Sequence, residues 1–162
     1  MIPSRESTTP SREQPGSGDW PGLVVDASVA ASWFLPDEAD AFSEAILAAT
    51  SHAEIWVPAL WQLEICNLLR MAQRRRRISG AKRRELVEAA SALRLRIDRE
   101  PVVMADIDTL ADRYDLTAYD AVYLELALRR SLQLATTDGA LMAAMKRSGG
   151  QVFDLASIAS SA

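Results

Sequence analysis

The chain has 162 residues, 49% apolar and 25% charged, which fits one soluble domain around a single sizeable core. No apolar run approaches the ~20 residues of a membrane span, and the N-terminus lacks the basic-then-apolar pattern of a secretory signal. The only cysteine, Cys66, rules out an intramolecular disulfide; set in an apolar helical pattern, it is expected to be a buried, inert thiol in a cytoplasmic protein.

The net charge of −4 argues weakly against nucleic-acid binding, but it is unevenly spread. Residues 70–100 hold eleven Arg or Lys against four acids, so that segment carries +7 and the remainder −11. A molecule polarised in this way can hold a polyanion on one face and keep its acids for other work.

Residues 1–20 are rich in Ser, Thr, Pro and Gly and nearly devoid of large apolar side chains, so a flexible tail is expected, with order beginning at Trp20-Pro21. "GLVVDAS" (22–28) is a buried-strand pattern that runs into a helix start. Helices are predicted over 28–35 and 37–50, broken at Pro36-Asp37, the second with Phe42, Ala45, Ile46 and Ala49 on one face. "EIWVP" (54–58) is a second strand closed by proline, and a long helix follows from Ala59 to about Arg76. Ser79 caps another helix, to about Arg96, and "PVVMAD" (101–106) reads as a short strand or an extended lead-in. Helices over about 106–113 and 117–130 come next, then the strand-and-turn "LQLATTD" (132–138). A helix to about Arg147, a Gly149-Gly150 stop and a last strand "QVFDL" (151–155) complete the chain. Strands alternating with helices predict an α/β three-layer fold with a central, mostly parallel sheet flanked by helices.

In such sheets the functional crevice lies at the carboxyl ends of the strands. Asp26 ends "LVVD" and Asp138 follows "LATT", and each also precedes a helix, where Asp is a good N-cap. Glu64 has Leu60, Trp61, Leu68 and Met71 at helical neighbour positions; a partner Arg or a boundary position would be the alternative explanations. Asp120 lies over Tyr123, Leu124 and Ala127, where a buried lone carboxylate is costly, although a first-turn capping role is also open to it. Four carboxylates converging on one sheet end would repel one another, and a divalent cation would remove that difficulty. All-oxygen ligation points to Mg²⁺ or Mn²⁺ rather than zinc, since His52 sits in a polar loop and is a poor ligand. The chain has no G-x-G-x-x-G, no P-loop and no G-x-S-x-G. The run Arg74, Arg75, Arg76 and Arg77 is either a solvated helix face or a phosphate-binding rim.

"VVDASVAASWFLPDE", "PALWQLEICNLL" and "LTAYDAVYLELALRRSLQLATTDGAL" together resemble the PIN domain, specifically the VapC-type ribonuclease toxins of toxin–antitoxin pairs. The resemblance covers about residues 22–155, and a PIN domain is expected over 21–158; the long N-terminal tail departs from the family's usual pattern. Carried over by motif, it implies that Asp26, Glu64, Asp120 and Asp138 are the metal-binding and catalytic acids, with the hydroxyls of Ser28 and Thr136 as accessory groups. It further implies a Mg²⁺- or Mn²⁺-dependent endoribonuclease leaving 5′-phosphate and 3′-hydroxyl ends. A homodimer is implied too, with a cognate VapB-type antitoxin whose tail occupies the acidic site. Two other outcomes are compatible with the motifs: a housekeeping RNA-processing nuclease without antitoxin, and a catalytically inactive binding module.

Overall fold

The computed structural model describes residues 22–154, apart from 36, 38, 39 and 52. The N-terminal tail, the Pro36 break and the His52 loop lie outside the described residues. The sheet has four strands, β1 (Leu23–Val25), β2 (Ile55–Pro58), β3 (Leu95–Asp98) and β4 (Gln133–Ala135), in the order β3-β2-β1-β4. Every pairing is parallel, with Val24 opposite Trp56 on one side and Leu134 on the other. β1 is central and wholly buried, which explains why "LVV" reads as a continuous apolar run rather than an alternating one.

Helices α1 (Ala27–Phe34) and α2 (Ala41–Ala49) connect β1 to β2. Helices α3 (Leu60–Arg74) and α4 (Gly80–Ala92) connect β2 to β3, and α5 (Met104–Tyr114) and α6 (Ala118–Arg129) connect β3 to β4. Helix α7 (Gly139–Arg147) follows β4. Side chains alternate across β1 and divide the interior into two cores. Val24 packs with Trp61, Ile65, Tyr123, Leu124 and Leu134 on one face, whereas Leu23 and Val25 meet Val29, Ile46 and Phe153 on the other.

The structure moves several predicted elements. Helix α2 starts at Ala41, not 37, because Asp40 and Ser43 form a reciprocal capping box there. The third strand is Leu95–Asp98, starting in the last two residues of the predicted helix, which ends at Ala92, and of the two readings of 101–106 the extended lead-in to α5 holds for 101–103. Val102, Val103 and Met104 are exposed, so their apolar run builds no core. The last predicted strand contracts to a single bridge between Val152 and Leu134. Cys66 is exposed, contrary to expectation: α3 buries Trp61, Ile65, Leu69 and Ala72, and Cys66 falls on the opposite side with Leu63 and Arg70.

Candidate metal centre and its basic groove

Asp26 is the first residue past β1, where its N–H is still held by the Ala135 carbonyl at 2.9 Å. Its backbone carbonyl starts α1, but its side chain makes no cap hydrogen bond, so N-capping does not account for the carboxylate. Instead Oδ2 accepts from Ser28 Oγ at 2.5 Å and from Thr136 Oγ1 at 2.8 Å. The group is only 5% exposed. Burial pushes its pKa above the usual Asp value; the Ser28 and Thr136 hydroxyls oppose that shift, and the Asp120 charge adds to it.

Glu64 projects from α3, half-buried, and its Oε2 accepts a hydrogen bond from the Tyr123 hydroxyl at 2.5 Å. Burial raises its pKa as well; the Tyr123 contact works against this, and the charges of Asp26 and Asp120 reinforce it. Asp120 is less buried than its helical neighbours suggest, because it lies in the first turn of α6, where the helix end opens to solvent. Thr117 caps that helix through the Asp120 N–H at 3.1 Å, and its hydroxyl donates to Asp120 Oδ2 at 2.7 Å.

Asp138 stands differently. It is exposed, and its Oδ1 caps α7 by accepting from the Leu141 N–H at 2.8 Å. It joins the others through Thr136, whose Oγ1 accepts from the Asp138 N–H at 3.0 Å while donating to Asp26. Asp26, Glu64 and Asp120 are thus electrostatically coupled, and Asp138 is tied to Asp26 through a hydroxyl. Among the described residues, no group of three or more Asp, Glu, His or Cys is gathered tightly enough to grip a metal ion as the side chains stand. Each carboxylate instead takes a local donor (Ser28, Tyr123, Thr117 or the α7 amide) and so limits its exposure to like charges. The donor set itself fits a hard divalent cation: all its ligands are oxygens, and two of its carboxylates are disfavoured as bare anions.

An open groove of about 410 Å³ starts at this cluster, lined by Ser28, Glu64, Asn67, Met71, Arg75 and Arg77 among others. Of the four consecutive arginines, Arg75 and Arg77 therefore share a groove with Glu64. Arg77 also pairs with Asp37 at 2.6 Å. Arg74 lies back over the Met71 sulfur at 4.0 Å, and Arg76 is exposed.

Sequence reasoning missed a second polar centre at the end of β3. Asp98, 7% exposed, accepts from Arg129 at 2.6 Å and Arg130 at 2.7 Å, and Arg130 stacks on Trp56 at 3.6 Å. Burial acts to raise the Asp98 pKa, but the Arg130 and Arg129 contacts together hold it below the usual value. The signal for this centre was the Leu95/Ile97 alternation with Arg96, which marks a strand ending at Asp98.

A parallel sheet flanked by helices, with Asp26 past β1 and Asp138 past β4 at its carboxyl end, defines an α/β protein with a polar crevice there. The chain belongs to the PIN-domain family, whose profile matches residues 23–147. A crystal structure of PAE2754 from Pyrobaculum aerophilum is similar, with a TM-score of 0.65 and 21% identity over 85% of this chain and 91% of that one. FitAcB from Neisseria gonorrhoeae aligns with a TM-score of 0.58 and 21% identity, over 82% of this chain and 96% of its own. At that identity the likeness speaks for the fold alone. No curated protein sequence matches significantly. Among the described residues no helix is long and apolar enough to cross a membrane.

Proposed function

We propose that the chain is a Mg²⁺- or Mn²⁺-dependent endoribonuclease, acting in the cytoplasm as the toxin of a toxin–antitoxin pair. PIN domains are generally nucleases. The observation that carries the reading is that Asp26 stands past the end of β1, while Ser28, which donates to it, and Glu64 line a groove shared with Arg75 and Arg77. Asp26, Glu64 and Asp120 would hold the metal, with Asp138 at the open side. When bound, the cation would lower the pKa of a water and offset charge on a phosphodiester in the transition state.

The protein's own part is orientation. Ser28 and Thr136 fix the Asp26 carboxylate from the protein side, Tyr123 fixes Glu64, and Thr117 fixes Asp120. Arg75 and Arg77 would contact backbone phosphates, contributing affinity and register without choosing sequence. The toxin assignment and the VapB-type antitoxin rest on the motif resemblance. Exposed Val102, Val103 and Met104, beside a cavity of about 220 Å³, support a protein–protein surface for that antitoxin or for a homodimer.

The test is cleavage of a single-stranded RNA pool by the purified chain. EDTA should abolish cleavage and Mg²⁺ or Mn²⁺ restore it, and the product of a small reading frame found beside the gene should inhibit it. Full activity in chelator would reject the metal reading; cleavage indifferent to that product would leave a nuclease but reject the toxin.

A further inference from the structure

We infer that Tyr123 is a positioning residue whose phenol sets the Glu64 carboxylate for metal binding by tying α6 to α3. The inference rests on the proposed metal-dependent reading and adds to it a residue outside the acid set. Tyr123 is 1% exposed, with its ring in the core among Val24, Trp61 and Leu124. A buried phenol needs partners for its hydroxyl. This one donates to Glu64 Oε2 at 2.5 Å, across 59 residues of sequence.

Glu64 otherwise has three rotatable side-chain bonds on a half-exposed helix face, and a flexible ligand loses conformational freedom when it binds. The phenol removes much of that freedom beforehand and holds one carboxylate oxygen to the protein. Ser28 and Thr136 serve Asp26 in the same way, so each buried acid rests on hydroxyl groups.

A purely structural Tyr123, burying its ring and satisfying its own hydroxyl, would look the same in the fold but behave differently in a double-mutant cycle. Tyr123→Phe keeps the ring, and because Glu64 is half-exposed, water can replace the lost donor. Metal-free thermal melts of the full chain verify that the variant folds. Mn²⁺ affinity, read directly from the electron paramagnetic resonance of free Mn²⁺, should fall by ~10–100-fold, as for other outer-shell partners of metal ligands. The same change made in Glu64→Gln should cost little more, and RNA cleavage by Tyr123→Phe should recover at high Mn²⁺. Unchanged affinity in Tyr123→Phe, or an equal loss with and without Glu64, would overturn the inference while leaving the nuclease reading in place. Wild-type protein that binds no Mn²⁺ would reject both.

Discussion

Replacing Asp26 with Asn separates a metal-site carboxylate from a structural one by sign. The Asp26 carboxyl is held above its ordinary value, with burial the largest cause, so the hydroxyl contacts from Ser28 and Thr136 do not fully compensate for desolvation. A carboxyl raised in the folded state binds its proton more readily there than in the unfolded chain. Its ionisation therefore costs stability as pH rises from the unfolded value of about 3.8 through the folded one, and the cost persists above that. Asparagine keeps the shape and an acceptor for the two hydroxyls but carries no charge. The metal-free variant at pH 7 should be as stable as wild type or more so, and below pH 3.8 the difference should vanish. Each pKa unit relieved corresponds to about 1.36 kcal/mol, and each kcal/mol moves the Tm of a domain this size by about 2–4 °C. Mn²⁺ at a hundredfold excess over Kd should stabilise wild type by about 2.7 kcal/mol, and the variant far less. The order of the two melting curves should invert on adding metal. A metal-free variant less stable by over ~1 kcal/mol that still gains fully from Mn²⁺ would refute the reasoning and make Asp26 structural.

Neutralising Arg75 and Arg77 should lower the log–log salt slope of RNA binding by ~0.7 per lost phosphate contact, whereas neutralising Arg74 and Arg76 should change it little; filter-binding titrations across salt check this. Asp98→Asn should destabilise the fold by roughly 3 kcal/mol, since it weakens one anion shared by two arginines, and should leave Mn²⁺ affinity unchanged in the same titration used for Tyr123. Because the Asp98 pKa is lowered, its stabilisation is present above the unfolded value of about 3.8 and is lost as pH falls through the folded value, so the Asp98→Asn deficit should shrink in acid melts. Cys66, being exposed, should react with a thiol reagent in the native protein at the rate of a free thiol; a silent native thiol would contradict the placement of α3.

The parallel sheet was legible because two of its signals are physically distinct: β-branched "LVV" for a strand covered on both faces, and 3.6-residue periodicity in α3 and α6. β3 was not legible for the opposite reason. It is an edge strand, so Arg96 points to solvent between Leu95 and Ile97, and the alternation falls directly after a good helix former. Val102, Val103 and Met104 kept a short strand open beside the extended lead-in because they are apolar, yet apolar side chains make up much of any folded surface. Cys66 misled similarly: in α3 a one-residue step around the helix separates buried Ile65 from exposed Cys66.

The acids show a subtler limit. Periodicity places Asp120 over Tyr123, Leu124 and Ala127, and all three are indeed buried. Yet depth along the helix axis matters as much as angle around it, and a first-turn residue escapes the core that its neighbours enter. The carboxylates that burial disfavours are Asp26 and Glu64, and each is reached by a hydroxyl from elsewhere in the chain: Thr136, 110 residues on, and Tyr123, 59 residues on. Residue type and local spacing can nominate a carboxylate, but they cannot show which distant hydroxyl it leans on. That is set by strand order. β4 lies beside β1, which brings Thr136 to Asp26, and α6 packs against β1, which leaves the Tyr123 hydroxyl on Glu64. Ser28 lies only two residues from its partner, yet it and Thr136 alike were named through the family resemblance rather than through spacing.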